Sequence, residues 1–346
     1  MYNSFPLQEK DLKFLFSGLH NFKTEFALFL QGLYKFNNIE YKRDLKEPKL
    51  VWQKNNVKLL HYKGKNSKKK ILFIPSIINK YYILDLKRKR SLARFLSKEY
   101  SVYILDWGQA HESINSLEDY IKIAVEVIKS LASSEKITLI GYCLGGVISI
   151  AASVICKNLI DSLALLATPW DFNKLTVTNQ YIGNYQTFKQ MTHTIQTISS
   201  EFIQSMFFAF QTKEIFDKFI CFNNLKKPAV MNLFVAVEHW IKDGNDLSKK
   251  VIIDLVENFS INNITCHNKW FIKNKPINLS KVNFPVFVAI PTKDKIVPIE
   301  STLPILTQIE RKTIVEIDTG HIGMIIGSKS KLVLWKPLKE WLDTAS

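Results

Sequence analysis

The stretch KITLIGYCLGGVISIAASV, residues Lys136 to Val154, decides the fold of this chain. Ile137 to Ile140 is a short apolar run rich in β-branched residues, which predicts a buried strand, and the apolar run Val147 to Val154 predicts a helix. Between them, Gly141-Tyr-Cys-Leu-Gly145 places Cys143 between two glycines. A sharp strand-to-helix turn holds such a central side chain above the sheet, and flanking glycines avoid clashes. The pattern therefore predicts a thiol nucleophile at a helix N-terminus, where the helix dipole favours the thiolate.

Two other interpretations of this stretch compete with a thiol nucleophile: a transmembrane helix and a structural cysteine. The segment between Lys136 and Lys157 carries no charge, which is also typical of a transmembrane helix. Its central glycines interrupt the segment and leave only about 8 to 10 apolar residues on either side, which is too short for a span. The other interpretation is that Cys143 is a buried structural thiol, as most free cysteines are. The glycines at a predicted strand-to-helix junction favour the nucleophile.

The composition of the chain restricts the classes of protein and of partner that it fits. The chain has 346 residues, an apolar fraction of 47% and a formal charge of +16 at pH 7. These values are typical of a globular protein with a large core, and they predict a solvated basic surface weakly attracted to anions. The clusters Lys68 to Lys70 and Lys87 to Arg90 lack interleaved aromatic residues, so we expect no nucleic-acid partner.

The four cysteines, Cys143, Cys156, Cys221 and Cys266, show neither C-x-x-C pairing nor the His/Cys spacing of metal sites. We therefore expect free thiols and no metal. The first residues, Met1 to Phe16, lack the pattern of a secretory signal peptide. Together these features predict a cytoplasmic protein, in a reducing environment that suits a thiol nucleophile.

The order of elements predicts an α/β fold with a mostly parallel, doubly wound sheet. We expect an N-terminal helical arm at 1–48, a first core half at 49–171, a helical cap at 172–275 and a second core half at 276–346. The arm contains an amphipathic stretch, Asp11 to Phe36, and the second half closes on a predicted helix, Leu332 to Leu342. Trp52 and Val57 to Tyr62 predict an opening hairpin. Predicted core strands are Ile71 to Ile74, Ser101 to Leu105, Ile137 to Ile140, Leu163 to Ala167, Pro285 to Pro291 and Thr313 to Ile317.

Two residues late in the chain can complete a catalytic triad with Cys143. Asp294 follows one predicted strand and His321 follows the next, in the nucleophile, acid, histidine order of the α/β-hydrolase architecture. His321 would accept the thiol proton and Asp294 would orient the imidazole, with Asp106 as the second-choice acid. The backbone N–H groups of Leu144 and of a residue near Ile77, in the loop after an early strand, are the expected oxyanion donors.

Five motifs follow one another along the chain: the segment Ile74 to Leu86, Leu105-Asp-Trp-Gly108, Gly141-Tyr-Cys-Leu-Gly-Gly146, the Asp-x-Ile-Val-Pro of Asp294 to Pro298, and Gly320-His-Ile-Gly323. In their order and spacing they resemble motifs of the polyhydroxyalkanoate synthases. The resemblance implies polymerisation of (R)-3-hydroxyacyl-CoA with release of CoA, so that the CoA thioester is a substrate and no cofactor is required. It also implies that Cys143 holds the acyl chain as a thioester, that His321 activates the thiol, and that Asp294 serves the histidine or the substrate hydroxyl.

Two features depart from the family pattern. The family usually has histidine directly after the catalytic aspartate, where this chain has Lys295, a cation expected to act on the neighbouring carboxylate. The amino-terminal region is short and resembles the small synthase class, which implies a second, non-catalytic subunit or a homodimer and a location at the polyester granule surface. Two alternatives stay open: a cysteine-dependent hydrolase, either a thioesterase or an intracellular polyester depolymerase, and an inactive granule-associated scaffold.

Overall fold

The structure is a computed structural model that describes residues 9–64, 69–175, 185–191, 193–209 and 212–345. Eight strands form its main sheet: β1 (Lys49–Lys54), β2 (Val57–Tyr62), β3 (Lys70–Ile74), β4 (Ser101–Asp106), β5 (Ile137–Tyr142), β6 (Ile160–Leu166), β7 (Val286–Pro291) and β8 (Lys312–Ile317). Their order across the sheet is β1-β2-β4-β3-β5-β6-β7-β8.

The sheet has the predicted mostly parallel topology. Strand β2 runs antiparallel to β1 and to β4, and the other neighbouring pairs are parallel. Every residue of β5 and β7 is buried, which explains why these strands have apolar sequences without alternation. The hairpin is confirmed, and Asn55 adopts a φ of 52° in its turn. Ala167, predicted as a strand residue, lies just outside β6 and has a φ of 48°, which ends the strand.

Helices connect the strands. They are α1 (Glu9–Asn37), α2 (Leu92–Leu96), α3 (Leu117–Leu131), α4 (Leu144–Ile155), α5 (Tyr185–Met191), α6 (Ser200–Ala209), α7 (Thr212–Asn223), α8 (Pro228–Lys242), α9 (Lys249–Asp254), α10 (Ile299–Gln308), α11 (His321–Ile326) and α12 (Lys336–Thr344). The closing helix is not continuous as predicted, because a π-helical turn, Lys331–Trp335, precedes α12. Pro337 in the first turn of α12 lacks an N–H group and interrupts the α-helical hydrogen-bond ladder.

The predicted helical cap also contains short strands that the sequence did not indicate. Thr197–Ile198 pairs with Leu247–Ser248, and Phe271–Ile272 pairs with Lys275–Pro276. Two-residue strands have no periodicity that a sequence pattern can reveal.

The chain divides into two compact units. The larger unit comprises Asp44–Gln204 and Trp240–Ser346 and contains the main sheet. The smaller unit comprises the chain up to Arg43 and Ser205–His239. Its core consists of Phe36, Phe219, Phe222 and Val235, and Lys218 and Glu238 form an ion pair of 2.7 Å within it. Part of the predicted cap is thus grouped with the predicted arm, and the four-part division of the chain stays a prediction.

The carboxyl ends of the parallel strands lie at one edge of the main sheet. The loop containing Ile77 follows β3, Cys143 follows β5, Asp294 follows β7 and His321 follows β8. In open α/β sheets this edge is where ligands bind. The fold therefore places all the sequence-predicted site residues at the edge that suits a catalytic site.

Candidate active site

Cys143 lies in a strained turn between β5 and α4. Its φ of 55° and ψ of −128° place it where L-residues are rarely found. The turn is held by two hydrogen bonds: the Cys143 N–H donates to the Leu166 carbonyl at 2.9 Å, and the Gly146 N–H donates to the Cys143 carbonyl at 2.8 Å. This is the strand-to-helix geometry that the sequence predicted, and the thiol follows the carboxyl end of β5.

The glycines of the motif allow the turn to pack closely against its neighbours. A Cβ atom at Gly145 would overlap the Ile74 carbonyl oxygen and would lie 2.6 Å from the Pro75 backbone. A Cβ atom at Gly141 would lie 2.5 Å from the Gly146 Cα atom. Contacts this short do not occur with real side chains, so α4 approaches β3 and β5 only because these positions are glycine. The loop after β3 is consequently in contact with the turn that holds Cys143.

His321 and Asp294 form a buried pair. His321 Nδ1 lies 2.6 Å from Asp294 Oδ2, with 8% and 0% of the two side chains exposed. The other carboxylate oxygen, Oδ1, accepts hydrogen bonds from the backbone N–H groups of Ile296 at 2.8 Å and Val297 at 2.9 Å. The carboxylate is therefore fixed from both sides, and it orients the imidazole with Nε2 available for the sulfur.

The electrostatics of the site couple His321 to both partners. Burial lowers the pKa of His321, but the charges of Asp294 and Cys143, and hydrogen bonds with both side chains, raise it to about 10. The protonated imidazole is therefore favoured beside a thiolate, which is the form of cysteine that attacks carbonyl carbon. The structure brings Cys143, His321 and Asp294 together, although their catalytic roles stay a prediction.

The second-choice acid, Asp106, has other partners. Its Oδ1 accepts a hydrogen bond from the Gly108 N–H at 3.2 Å, and burial raises its pKa. The histidine of the site is paired with Asp294 instead.

The two predicted oxyanion donors are backbone N–H groups that follow the carboxyl ends of β3 and β5. Ile77 is fully buried in the loop after β3, and Leu144 is the first residue of α4. Neither N–H group donates a hydrogen bond to any of the residues that the structure describes. Buried N–H groups are nearly always paired in folded proteins, so a buried N–H group without a partner is a candidate for binding a ligand oxygen. The role of these two groups as oxyanion donors stays a prediction.

Comparison with known proteins identifies the family of this site. The family model described as "alpha/beta hydrolase fold" matches residues 70–328, more than half of the chain. The chain belongs to this family. A second model, described as the N-terminus of poly-beta-hydroxybutyrate polymerase (PhaC), matches residues 38–96 of this α/β hydrolase.

Relatives with curated names agree with that match. A poly(3-hydroxyalkanoate) polymerase subunit PhaC of Haloferax mediterranei is 27% identical over 86% of this chain and 64% of its own length. The protein of the same name from Synechocystis is 24% identical over 79% of this chain and 77% of its own length. The resemblance to the polyhydroxyalkanoate synthases is thereby confirmed. The chain spans just under two thirds of the length of the Haloferax protein.

Solved structures confirm the fold of this α/β hydrolase. A monoacylglycerol lipase of Paleococcus ferrophilus superposes with a TM-score of 0.54 and 16% identity, covering 83% of this chain and 99% of its own. A bacterial membrane phospholipase A superposes with a TM-score of 0.51 and 13% identity, covering 96% of both chains. Identities this low show the fold alone. Within the described ranges, no helix combines the length and hydrophobicity that a bilayer span requires.

Tyr142 is a residue of the site that the sequence did not reveal. Its hydroxyl donates to the backbone carbonyl of His321 at 3.3 Å, and the two rings lie 5.0 Å apart. Burial, with the charges of Cys143 and Asp294, raises the pKa of Tyr142 well above its ordinary value, so the phenol stays a neutral donor. In this α/β hydrolase, Tyr142 therefore holds His321 from the strand that carries the nucleophile. A tyrosine in an apolar strand gives no sequence signal of that contact.

Proposed function

We propose that this chain is a polyhydroxyalkanoate synthase-like acyltransferase, which polymerises (R)-3-hydroxyacyl-CoA through an acyl-cysteine at Cys143 and releases CoA. The observation that carries the proposal is the hydrogen-bonded series Asp294, His321, Cys143 at a strained strand-to-helix turn. The relatives named as poly(3-hydroxyalkanoate) polymerase subunits support the substrate class.

The first step forms the acyl-enzyme. At the start, the proton of Cys143 lies on His321 Nε2, and the thiolate attacks the thioester carbonyl of the substrate. The N–H groups of Leu144 and Ile77 stabilise the tetrahedral oxyanion. When the intermediate collapses, the bond between carbon and the CoA sulfur breaks, and the CoA thiolate takes the proton from His321. The products are CoA and an acyl thioester on Cys143.

The second step makes the ester bond. The 3-hydroxyl oxygen of another hydroxyacyl group attacks the carbonyl of the acyl-cysteine, and His321 accepts the hydroxyl proton. The bond between the carbonyl carbon and Sγ breaks, and the Cys143 thiolate leaves. An oxygen ester forms as a thioester is lost, and the imidazolium beside the thiolate restores the starting site. Asp294 stabilises the positively charged imidazole in both steps.

The test of this proposal is a product assay. Purified protein is incubated with 3-hydroxybutyryl-CoA, and CoA, soluble 3-hydroxybutyrate and insoluble polyester are measured. We expect CoA release with polyester formation, and neither in Cys143→Ala. CoA release with only the free acid would show that water is the acceptor and would replace the synthase with a cysteine-dependent hydrolase. The absence of CoA release and of acylation would favour the inactive scaffold.

The proposal extends to partners and location. Because the relatives are named as polymerase subunits, we infer that this chain works with a second subunit or a second copy of itself in the cytoplasm. The polyester product is insoluble, so the active chain is expected at the granule surface. Helix α1 supports that location, since Phe26, Leu30 and Tyr34 expose 44%, 48% and 73% of their surface. Sedimentation of the protein with its polymer, and not without it, is the corresponding measurement.

A further inference from the structure

A segment of the larger unit, Trp240 to Asp246, is hydrogen-bonded along the loop that follows β3. We name this loop, residues 75–82, the oxyanion loop. Gly244 forms an antiparallel bridge with Asn79, and the Trp240 Nε1–H donates to the Lys80 carbonyl at 2.8 Å. The Tyr82 hydroxyl donates to Asp243 Oδ2 at 2.9 Å. The oxyanion loop is therefore held by residues that follow it by some 160 positions in the chain.

Asn245 makes the contacts of this segment that lie nearest to the proposed donor. The residue is 2% exposed, and its Nδ2 donates to the Ile77 carbonyl at 3.0 Å. Its backbone N–H donates to the Ile78 carbonyl at 2.8 Å. Two consecutive carbonyl groups of the oxyanion loop are thus bound by one residue.

The peptide unit that bears the Ile77 N–H lies between two fixed peptide units. On its N-terminal side, the Pro75 carbonyl accepts a hydrogen bond from Trp107 Nε1 at 2.9 Å. On its C-terminal side, the unit joining Ile77 to Ile78 is held by Asn245 Nδ2 at its carbonyl and by Ser76 Oγ at its N–H group, 3.3 Å away. Because peptide units are planar, fixing both neighbours restricts the direction in which the Ile77 N–H points. That N–H donates no hydrogen bond within the described residues.

We propose that Asn245 is a positioning residue of the acyl-transfer reaction, which holds the Ile77 N–H in the direction needed to bind the oxyanion. The inference rests on the proposed function, because it assigns a task within the same site. It makes half of the oxyanion hole dependent on a residue from the segment between the two halves of the sheet. Asn245 acts through Ile77 and not on the sulfur.

The test compares two reactions of the same thiol. Acylation of Cys143 by 3-hydroxybutyryl-CoA develops an oxyanion, whereas alkylation by iodoacetamide displaces iodide and develops none. Both rates are followed by mass spectrometry of the peptide that contains Cys143, so that the other cysteines do not contribute. The variants are Asn245→Asp, which keeps the side-chain shape and removes the donor to Ile77, and Asn245→Ala. Asp246→Ala is the matched control, because it removes a hydrogen bond of the same segment, from the Ser200 N–H to Asp246 Oδ1 at 2.9 Å, that does not involve the oxyanion loop.

We expect both Asn245 variants to be acylated roughly 10- to 100-fold more slowly, somewhat below the effect of deleting an oxyanion donor. Alkylation should keep its native rate, and Asp246→Ala should keep both rates. In steady state, kcat should fall with little change in KM, since the donor binds the transition state.

Two results would overturn the inference. Native acylation rates in Asn245→Asp and Asn245→Ala would show that the oxyanion loop does not need the amide. Acylation and alkylation falling by the same factor would show that Asn245 acts on the thiol or on the fold. A native protein that is alkylated but not acylated is a different failure: it would contradict the proposed function, and this inference with it.

Discussion

Cys143 keeps a backbone conformation that costs of order 1–3 kcal/mol for an L-residue. The hydrogen bond from its N–H to Leu166 and the packing of two glycines against their neighbours hold the turn and offset that cost. Strained backbone conformations are concentrated at functional sites. In this turn the conformation places the sulfur at the N-terminus of α4, where the helix dipole favours negative charge.

The first prediction at the residue scale concerns the sulfur itself. Replacing Cys143 with serine should lower kcat by roughly 10²-fold or more, because a neutral hydroxyl is a weaker nucleophile and a poorer leaving group than a thiolate. CoA release measured by thiol titration is the readout. Cys156→Ser is the control, since Cys156 lies at the opposite end of α4 from Cys143 and should keep native turnover. Native turnover in Cys143→Ser would contradict the chemical account.

The second prediction concerns the protonation of His321. NMR titration should give a pKa near 10 in the native protein, and a lower pKa in Asp294→Asn and in Cys143→Ala, with the larger drop in Asp294→Asn because Asp294 is the stronger favourable charge. Because folding raises this pKa above its ordinary 6.5, the protonated imidazole contributes stability below about pH 6.5 that is lost as pH rises toward 10. An unchanged pKa in both variants would contradict the coupling.

The catalytic side chains that the sequence predicted lie directly after strands with apolar sequences. Asp294 and His321 each follow a strand whose apolar run is plain in the sequence, so their positions at the sheet edge could be predicted. Tyr142 and Asn245 were not predicted, because each acts by binding a backbone carbonyl distant in the chain. The carbonyl group that each side chain reaches is determined by the folded path of the chain. The residue types alone therefore do not indicate these contacts.

At the scale of elements, the buried strands were predictable and their ends were not. The apolar runs predicted the centres of β3 to β8. Lys70, Asp106 and Tyr142 are polar residues at the ends of their strands, and a hydrophobicity pattern does not assign such residues to a strand. Hydrogen bonding of the backbone does not require an apolar side chain. The same reason explains the missed two-residue strands among the helices of 172–275.

The prediction at this scale tests the close approach of α4 to β3. Gly145→Ala should lower the free energy of unfolding by about 1–3 kcal/mol, because the added Cβ overlaps the Ile74 carbonyl oxygen and the helix has to shift. Urea unfolding followed by tryptophan fluorescence is the measurement. Gly320→Ala is the matched control, since its Cβ would meet only the Lys293 carbonyl at 3.5 Å, an ordinary contact. Equal stability of the two variants would contradict the packing argument.

At the scale of the whole molecule, the grouping of distant segments is what sequence patterns could not show. Phe36 of α1 packs with Phe219 and Phe222 of α7, at ring distances of 5.7 and 6.4 Å. An amphipathic helix shows that one of its faces will be buried, but not which partner covers it. The arm was therefore recognised as a helix, while its grouping with Ser205–His239 appears only in three dimensions.

The formal charge of +16 leads to a prediction about substrate binding. The phosphates of CoA are attracted to a basic protein, and salt screens that attraction over roughly 10 Å at 0.1 M. KM for 3-hydroxybutyryl-CoA should rise severalfold between low salt and about 0.5 M salt. The 3-hydroxybutyryl thioester of N-acetylcysteamine has the same acyl group without phosphates and should show no such rise. Equal salt dependence of the two substrates would show that the phosphates are not attracted.

The account depends above all on a covalent bond between the acyl group and one sulfur. The most direct measurement is mass spectrometry of the protein quenched in acid shortly after mixing with 3-hydroxybutyryl-CoA, followed by peptide mapping. We predict a hydroxybutyryl adduct on the peptide that contains Cys143, absent from Cys143→Ala and slow to form in a variant lacking the His321 imidazole. Release of CoA and formation of polymer without any adduct on Cys143, or an equal adduct in Cys143→Ala, would contradict the account.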